Sequence, residues 1–154
     1  MESRREQAMT YFQEGYNCAQ AVVLAHSDII GMEKEALLKL SQSFGGGMGR
    51  MRQVCGTVSG MFMVAGILTG SDDPSDLQGK KDNYDTVQKL AAAFEEKHGS
   101  IICKQLLGLE SRQSSVAEEF QKGTTPEPRT DEYYKKRPCV ELVGDACDIL
   151  AEYF

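Results

Sequence analysis

The chain has 154 residues, 41% of them hydrophobic and 26% charged, with a formal net charge of −6. That length suits one domain, residues 1–154, able to bury about 70% of its unfolded surface. The acidic balance argues against nucleic acid as a partner, and the charged start Met1–Gln7 lacks the apolar stretch of a secretory signal, which predicts a cytoplasmic protein with reduced thiols.

From Glu2 to about Ala25, Ala8, Tyr11, Phe12, Cys18, Ala19, Val22 and Val23 recur mostly at three- and four-residue steps, which predicts one amphipathic helix. Cys18 falls on its buried stripe, in line with Tyr11, Gly15 and Val22. After Gly31 a second helix is expected over Glu33–Phe44, with Leu37, Leu38 and Leu40 turned inward. The run Gly45-Gly46-Gly47-Met48-Gly49 ends it, because each glycine costs a helix roughly 1 kcal/mol relative to alanine. This connector lacks the Gly-Lys-Ser/Thr ending of a phosphate loop.

Gln53–Leu68 is apolar on most sides and reads as a central, fully surrounded helix. It is too short and glycine-rich for a membrane span, and its paired glycines, Gly56 with Gly60 and Gly66 with Gly70, offer small surfaces for close packing. Cys55 stands at its start, where the positive end of the helix dipole favours thiolate over thiol. A turn at Ser71–Pro74 and a break at Gly79 precede a helix with the stripe Tyr84, Val87, Leu90, Ala91 and Phe94, stopping near His98-Gly99. A short helix over Ile101–Leu107 sets Cys103 among apolar neighbours.

Gly108–Asp131 is polar, with a short helix opened by the Ser115–Glu118 capping box and closed by Gly123. It is compatible with a lid, a partner-docking loop or a mobile surface loop. The last helix begins after Arg137-Pro138 and carries Val140, Val143, Ala146, Cys147, Leu150 and Phe154 on one face, with Cys139 at its N-terminus. No period-two pattern occurs. The fold class is all-α: a bundle of four principal helices with shorter added helices and a glycine-rich connector.

The five cysteines form no CxxC pair, so any joint action requires the fold to assemble them. Cys139 and Cys147 are eight residues apart, about 12 Å along a straight helix, which is too far for a mutual disulfide and awkward for one compact cluster. The natural quartet is Cys18, Cys55, Cys103 and one of that pair. Cys139 is preferred because its helix start stabilises the anion that a metal ligand must be, aided by the Lys135-Lys136-Arg137 patch. Cys147 reads as a core filler.

The remaining candidates point elsewhere. His26 and His98 lie near helix ends, where solvation or carbonyl bonding is the ordinary role. Tyr16, Tyr84, Tyr133 and Tyr134 read as packing residues with hydroxyls at the surface, and adjacent acids such as Glu95-Glu96 as solvated faces.

The segment Gly15–Val22 around Cys18, the hexapeptide Cys55-Gly56-Thr57-Val58-Ser59-Gly60 behind its glycine connector, and then Cys103 and Cys139 resemble the bacterial C_GCAxxG_C_C family. Thr57 departs from the alanine of that motif. The family is described as redox-active, some relatives carry selenocysteine, and a similar domain occurs in split-Soret cytochromes, which hold an iron–sulfur centre. The resemblance implies redox chemistry and names no substrate. Three uses of Cys18, Cys55, Cys103 and Cys139 follow: ligands of a two-iron, two-sulfur cluster for electron transfer, a thiol–disulfide oxidoreductase, or a structural zinc site. The cluster is the favoured expectation, with a non-enzymatic electron carrier ahead of an enzyme. Zinc comes last because its ligands usually come in close pairs. The expected partner is an unidentified redox protein, and a homodimer is compatible with this reading.

Overall fold

Gly15 divides the helix expected over Glu2–Ala25. Its φ of +110° is a conformation that side chains beyond glycine rarely adopt, so α1 (Arg5–Gln13) ends before it and α2 (Cys18–Ala25) starts afresh. Asn17 opens α2 with a capping box: its side chain accepts the Gln20 N–H at 3.0 Å, while Gln20 Oε1 accepts the Asn17 N–H at 3.0 Å. The consequence reaches the site. Cys18 is the first residue of a helix, not a member of a mid-helix stripe.

The computed structural model describes residues 1–109 and 123–154, so the helix expected from the Ser115–Glu118 capping box lies outside the described residues. Beyond α2 come α3 (Ser27–Ile30), α4 (Lys34–Gln42), α5 (Gly56–Thr69), α6 (Leu77–His98), α7 (Cys103–Leu106), α8 (Asp131–Lys136) and α9 (Cys139–Tyr153). Among the described residues there is no strand, and the all-α class holds.

Several local expectations shift. In α4, Leu37 is buried but Leu40 is 56% exposed, so one turn rather than a broad stripe faces inward. Gly79 does not break α6, because Asp76 caps the helix N-terminus and its carboxylate accepts the Gly79 N–H at 2.9 Å. Leu90 and Phe94 are buried as expected, whereas Tyr84 is 57% exposed. Helix α8 was not expected, although Thr130 as cap, acids in the first turn and lysines in the last are ordinary helix signals.

Helix α5 is the centre of the bundle, buried from Gly56 through Met61 and again at Val64 and Ala65. It packs against α2, α6 and α9, while α1 closes the bundle against α2 and α9. A methyl group on Gly60 would lie 2.9 Å from Val22 Cβ and 3.0 Å from the Ala19 carbonyl, so this glycine sets how closely α2 approaches. Phe12, Val22, Met61, Leu90, Phe94, Val143, Cys147 and Leu150 belong to one apolar core. Each large side chain fully buried there contributes about 1.5–3 kcal/mol.

Two polar features tie the helices together. Asp145 on α9 accepts Arg5 Nη1 at 2.6 Å and pairs with Lys97 Nζ at 3.1 Å, joining α1 and α6 to α9. Burial works to raise the Asp145 carboxyl, but the hydrogen bonds from Arg5 and Lys97 outweigh it and hold the group below the usual carboxylate range. His98 Nε2 lies 3.1 Å from Asp145 without the alignment of a hydrogen bond. His26 is fully buried with Nδ1 2.8 Å from the Val22 carbonyl, so of its two expected roles the carbonyl bond is the one present. Among the described residues, no helix is long and apolar enough to cross a membrane.

Candidate cysteine-lined site

The connector from Gly45 to Val54 builds one wall of the site. Gly46, Gly47, Met48, Gly49 and Arg50 all take φ between 58° and 71°, and Arg52 follows at 61°. Three of these are not glycine, and each such residue costs roughly 1–2 kcal/mol in a left-handed conformation. Backbone bonds hold the turn: the N–H groups of Arg50, Arg52 and Gln53 donate to Gly45, Gly46 and Gly47. The chain then pairs briefly with the start of α7. Val54 and Ile102 form a single antiparallel bridge, the Cys55 N–H donates to Ile101 O at 2.8 Å, and the Cys103 N–H donates to Gln53 O at 2.6 Å. Cys55 and Cys103, distant in sequence, are positioned by that backbone pairing.

Each of the four predicted cysteines stands at a helix start. Cys18, Cys103 and Cys139 are the first residues of α2, α7 and α9, and Cys55 caps α5. All four line one cavity of about 70 Å³, together with Arg52, Arg129, Arg137 and Tyr133. Cys147 does not line it. It is fully buried in the apolar core further along α9.

The sulfurs feel one another. Hydrogen bonding to Cys139, reinforced by burial, holds the Cys18 thiol well above its ordinary range. Burial, with Cys18 and Cys103 nearby, pushes Cys55 up to about 12. Burial also raises Cys103, although Arg52 Nη1 stands 3.7 Å from its sulfur and opposes the shift. The expectation that a helix start makes Cys55 a ready thiolate is therefore reversed, because desolvation and neighbouring sulfurs outweigh the dipole. As a residue Cys18 is only partly buried, yet its sulfur faces the closed interior.

Three arginines surround this cavity, and sequence reasoning left out two of them, Arg52 and Arg129. Arg52 is 3% exposed. Arg129 donates to the Phe12 and Tyr16 carbonyls at 2.8 and 3.0 Å, with its guanidinium 4.2 Å from the centre of the Phe12 ring. Arg137 pairs with Glu127 at 2.5 Å and lies 4.7 Å from the centre of the Tyr133 ring. Only Arg137 had a sequence signal, as part of the small basic patch. Thr57 is fully buried, and its Oγ1 has no conventional hydrogen-bond partner; the polar groups it influences are the thiols of Cys18 and Cys55.

The donor set is soft sulfur, which suits iron–sulfur or zinc chemistry. Among the described residues, no three His, Cys, Asp or Glu side chains are grouped to hold one metal ion. A mononuclear zinc site takes four donors at one point. The cysteine arrangement is compatible with a two-iron cluster, which divides four thiolates between two irons. The arginines lining the cavity and the N-terminal ends of α2, α5 and α9 would offset the negative charge of such a tetrathiolate centre. The cavity has room for a few waters or a compact inorganic group, and is far below the ~300–1,000 Å³ of small-molecule pockets.

The model of a family described as "Putative redox-active protein (C_GCAxxG_C_C)" matches residues 16–153. The chain belongs to that family. No curated protein and no solved structure matches it.

Proposed function

We propose that this member of the C_GCAxxG_C_C family carries electrons through a two-iron, two-sulfur cluster held by Cys18, Cys55, Cys103 and Cys139. The observation that carries the reading is the meeting of four cysteines from four helix starts in one small cavity bordered by arginines. When bound, such a cluster supplies one-electron redox chemistry. The chain's own residues do the rest: the four thiols are its ligands, Arg52, Arg129 and Arg137 balance charge, and Leu106, Leu107 and Leu142 exclude water.

A second reading rests on one contact. Cys139 is the largest influence on the Cys18 thiol, as a partner in dithiol exchange would be. Against it, raised thiols are poor nucleophiles, whereas a metal centre deprotonates its ligands outright.

Anaerobic purification separates the two. The cluster reading expects a brown protein with charge-transfer absorption and about two irons per chain. A colourless, iron-free protein whose Cys18 and Cys139 cycle between thiol and disulfide would replace it with the dithiol reading.

A further inference from the structure

Beside the cysteine cavity lies a second, more open pocket of about 390 Å³. Its size falls within the ~300–1,000 Å³ typical of small-molecule sites. The two cavities share a wall made of Asn17, Gly46, Arg52, Arg129, Tyr133 and Arg137. Among the described residues, four arginines, Arg50, Arg52, Arg129 and Arg137, line the outer pocket, and Glu127 is the one acid. This concentration of positive charge stands in a chain of net charge −6.

Two of the arginines, Arg50 and Arg129, are oriented by backbone carbonyls. Arg50 Nη1 donates to the carbonyls of Gly123 and Thr125 at 3.0 and 2.5 Å, and Arg129 donates to those of Phe12 and Tyr16. Carbonyl bonds orient a guanidinium without neutralising it. Glu127 is shared, 2.5 Å from Arg137 and 3.7 Å from Arg50. Burial, followed by repulsion from Arg52, lowers the Arg50 guanidinium, which shows how closely the positive charges are crowded. Arginine forks presented at fixed angles match the paired oxygens of carboxylates and phosphates.

We infer that this outer pocket binds a small molecule through a carboxylate or phosphate group and seats it against the wall of the cysteine centre. The binding itself stands on the pocket's own residues; only its relevance to electron transfer rests on the redox reading above. The ligand's anionic group sits among the guanidinium heads, and its remaining body is limited by the pocket to a small metabolite rather than a polymer.

Calorimetric titration of the full chain with inorganic phosphate, pyrophosphate and succinate tests this. At least one of the three saturates, weakens as salt is raised, and binds about tenfold or more weakly to Arg50→Gln. Arg50→Lys, which keeps charge but loses the fork, falls between the two. Thermal melts confirm that the variants are folded, and Arg129→Gln serves if Arg50→Gln is not. Saturation by phosphate and pyrophosphate alone assigns a phosphate ligand, and by succinate alone a carboxylate. The inference is overturned if none of the anions saturates, or if folded arginine variants bind as tightly as the parent. Binding that survives in a protein lacking any metal or thiol redox activity keeps the pocket and discards the electron-transfer reading.

Discussion

Cys139 and Cys147 sit on one helix in two unlike surroundings. The first opens α9 beside Cys18, Arg137 and Tyr133; the second lies two turns on, sealed among apolar side chains, where burial pushes its thiol up to about 12. Both are buried, so burial alone does not mark a cysteine as functional. What distinguishes Cys139 is the company of other sulfurs and of arginines, and that contrast can be tested residue by residue.

The largest effect is expected from serine at Cys18, Cys55, Cys103 or Cys139, each of which removes a ligand and abolishes the visible absorption of anaerobically purified protein. Cys147→Ser keeps the absorption and loses about 1–3 kcal/mol of stability, because a hydroxyl is placed in an apolar core. Loss of colour in Cys147→Ser with retention in Cys139→Ser would invert the comparison.

Next comes Phe94→Ala, deep in the same core as Cys147. A loss of about 3–5 kcal/mol in a denaturant titration is expected, with iron content per folded chain unchanged. Gly47→Ala does the reverse at the other end. With φ at +71° and a new methyl group 2.6 Å from Cys103 Cβ, it costs about 1–2 kcal/mol from the backbone and lowers iron content.

Asp145→Asn should cost about 1–2 kcal/mol near neutral pH. Since the folded-state carboxyl is held below its usual range, the stabilisation is present above the unfolded pKa of about 4 and is lost as pH falls through the folded value. The difference between parent and variant therefore narrows in acid melts. The smallest effect is electronic: Thr57→Ala, by removing a buried hydroxyl that favours the charged Cys18 and Cys55 sulfurs, lowers the midpoint potential by roughly a few tens of millivolts, on the order of one hydrogen bond. Voltammetry giving an unchanged or higher value would count against that contact.

Much of this architecture is legible in the sequence. Apolar spacing identifies α5, α6 and α9; helix rise admits only one of Cys139 and Cys147, and the helix-start position selects Cys139, the one of the two that lines the cavity. The break at Gly15 was missed because the apolar positions continue in step across it; the Asn17–Gln20 capping box was the available signal. Arg52 and Arg129 were invisible for another reason. Their role arises from a left-handed turn and from bonds to carbonyls more than a hundred residues away, neither of which leaves a local pattern.

The pairing of Val54 with Ile102 carries a consequence for how the site is built. It is the sole antiparallel backbone bridge among the described residues, and it joins segments separated in sequence by the whole of α5 and α6. Two of the four sulfurs are thus brought together by closing a loop of two helices, so a truncation that removes the α7 side of the bridge leaves Cys55 without its counterpart.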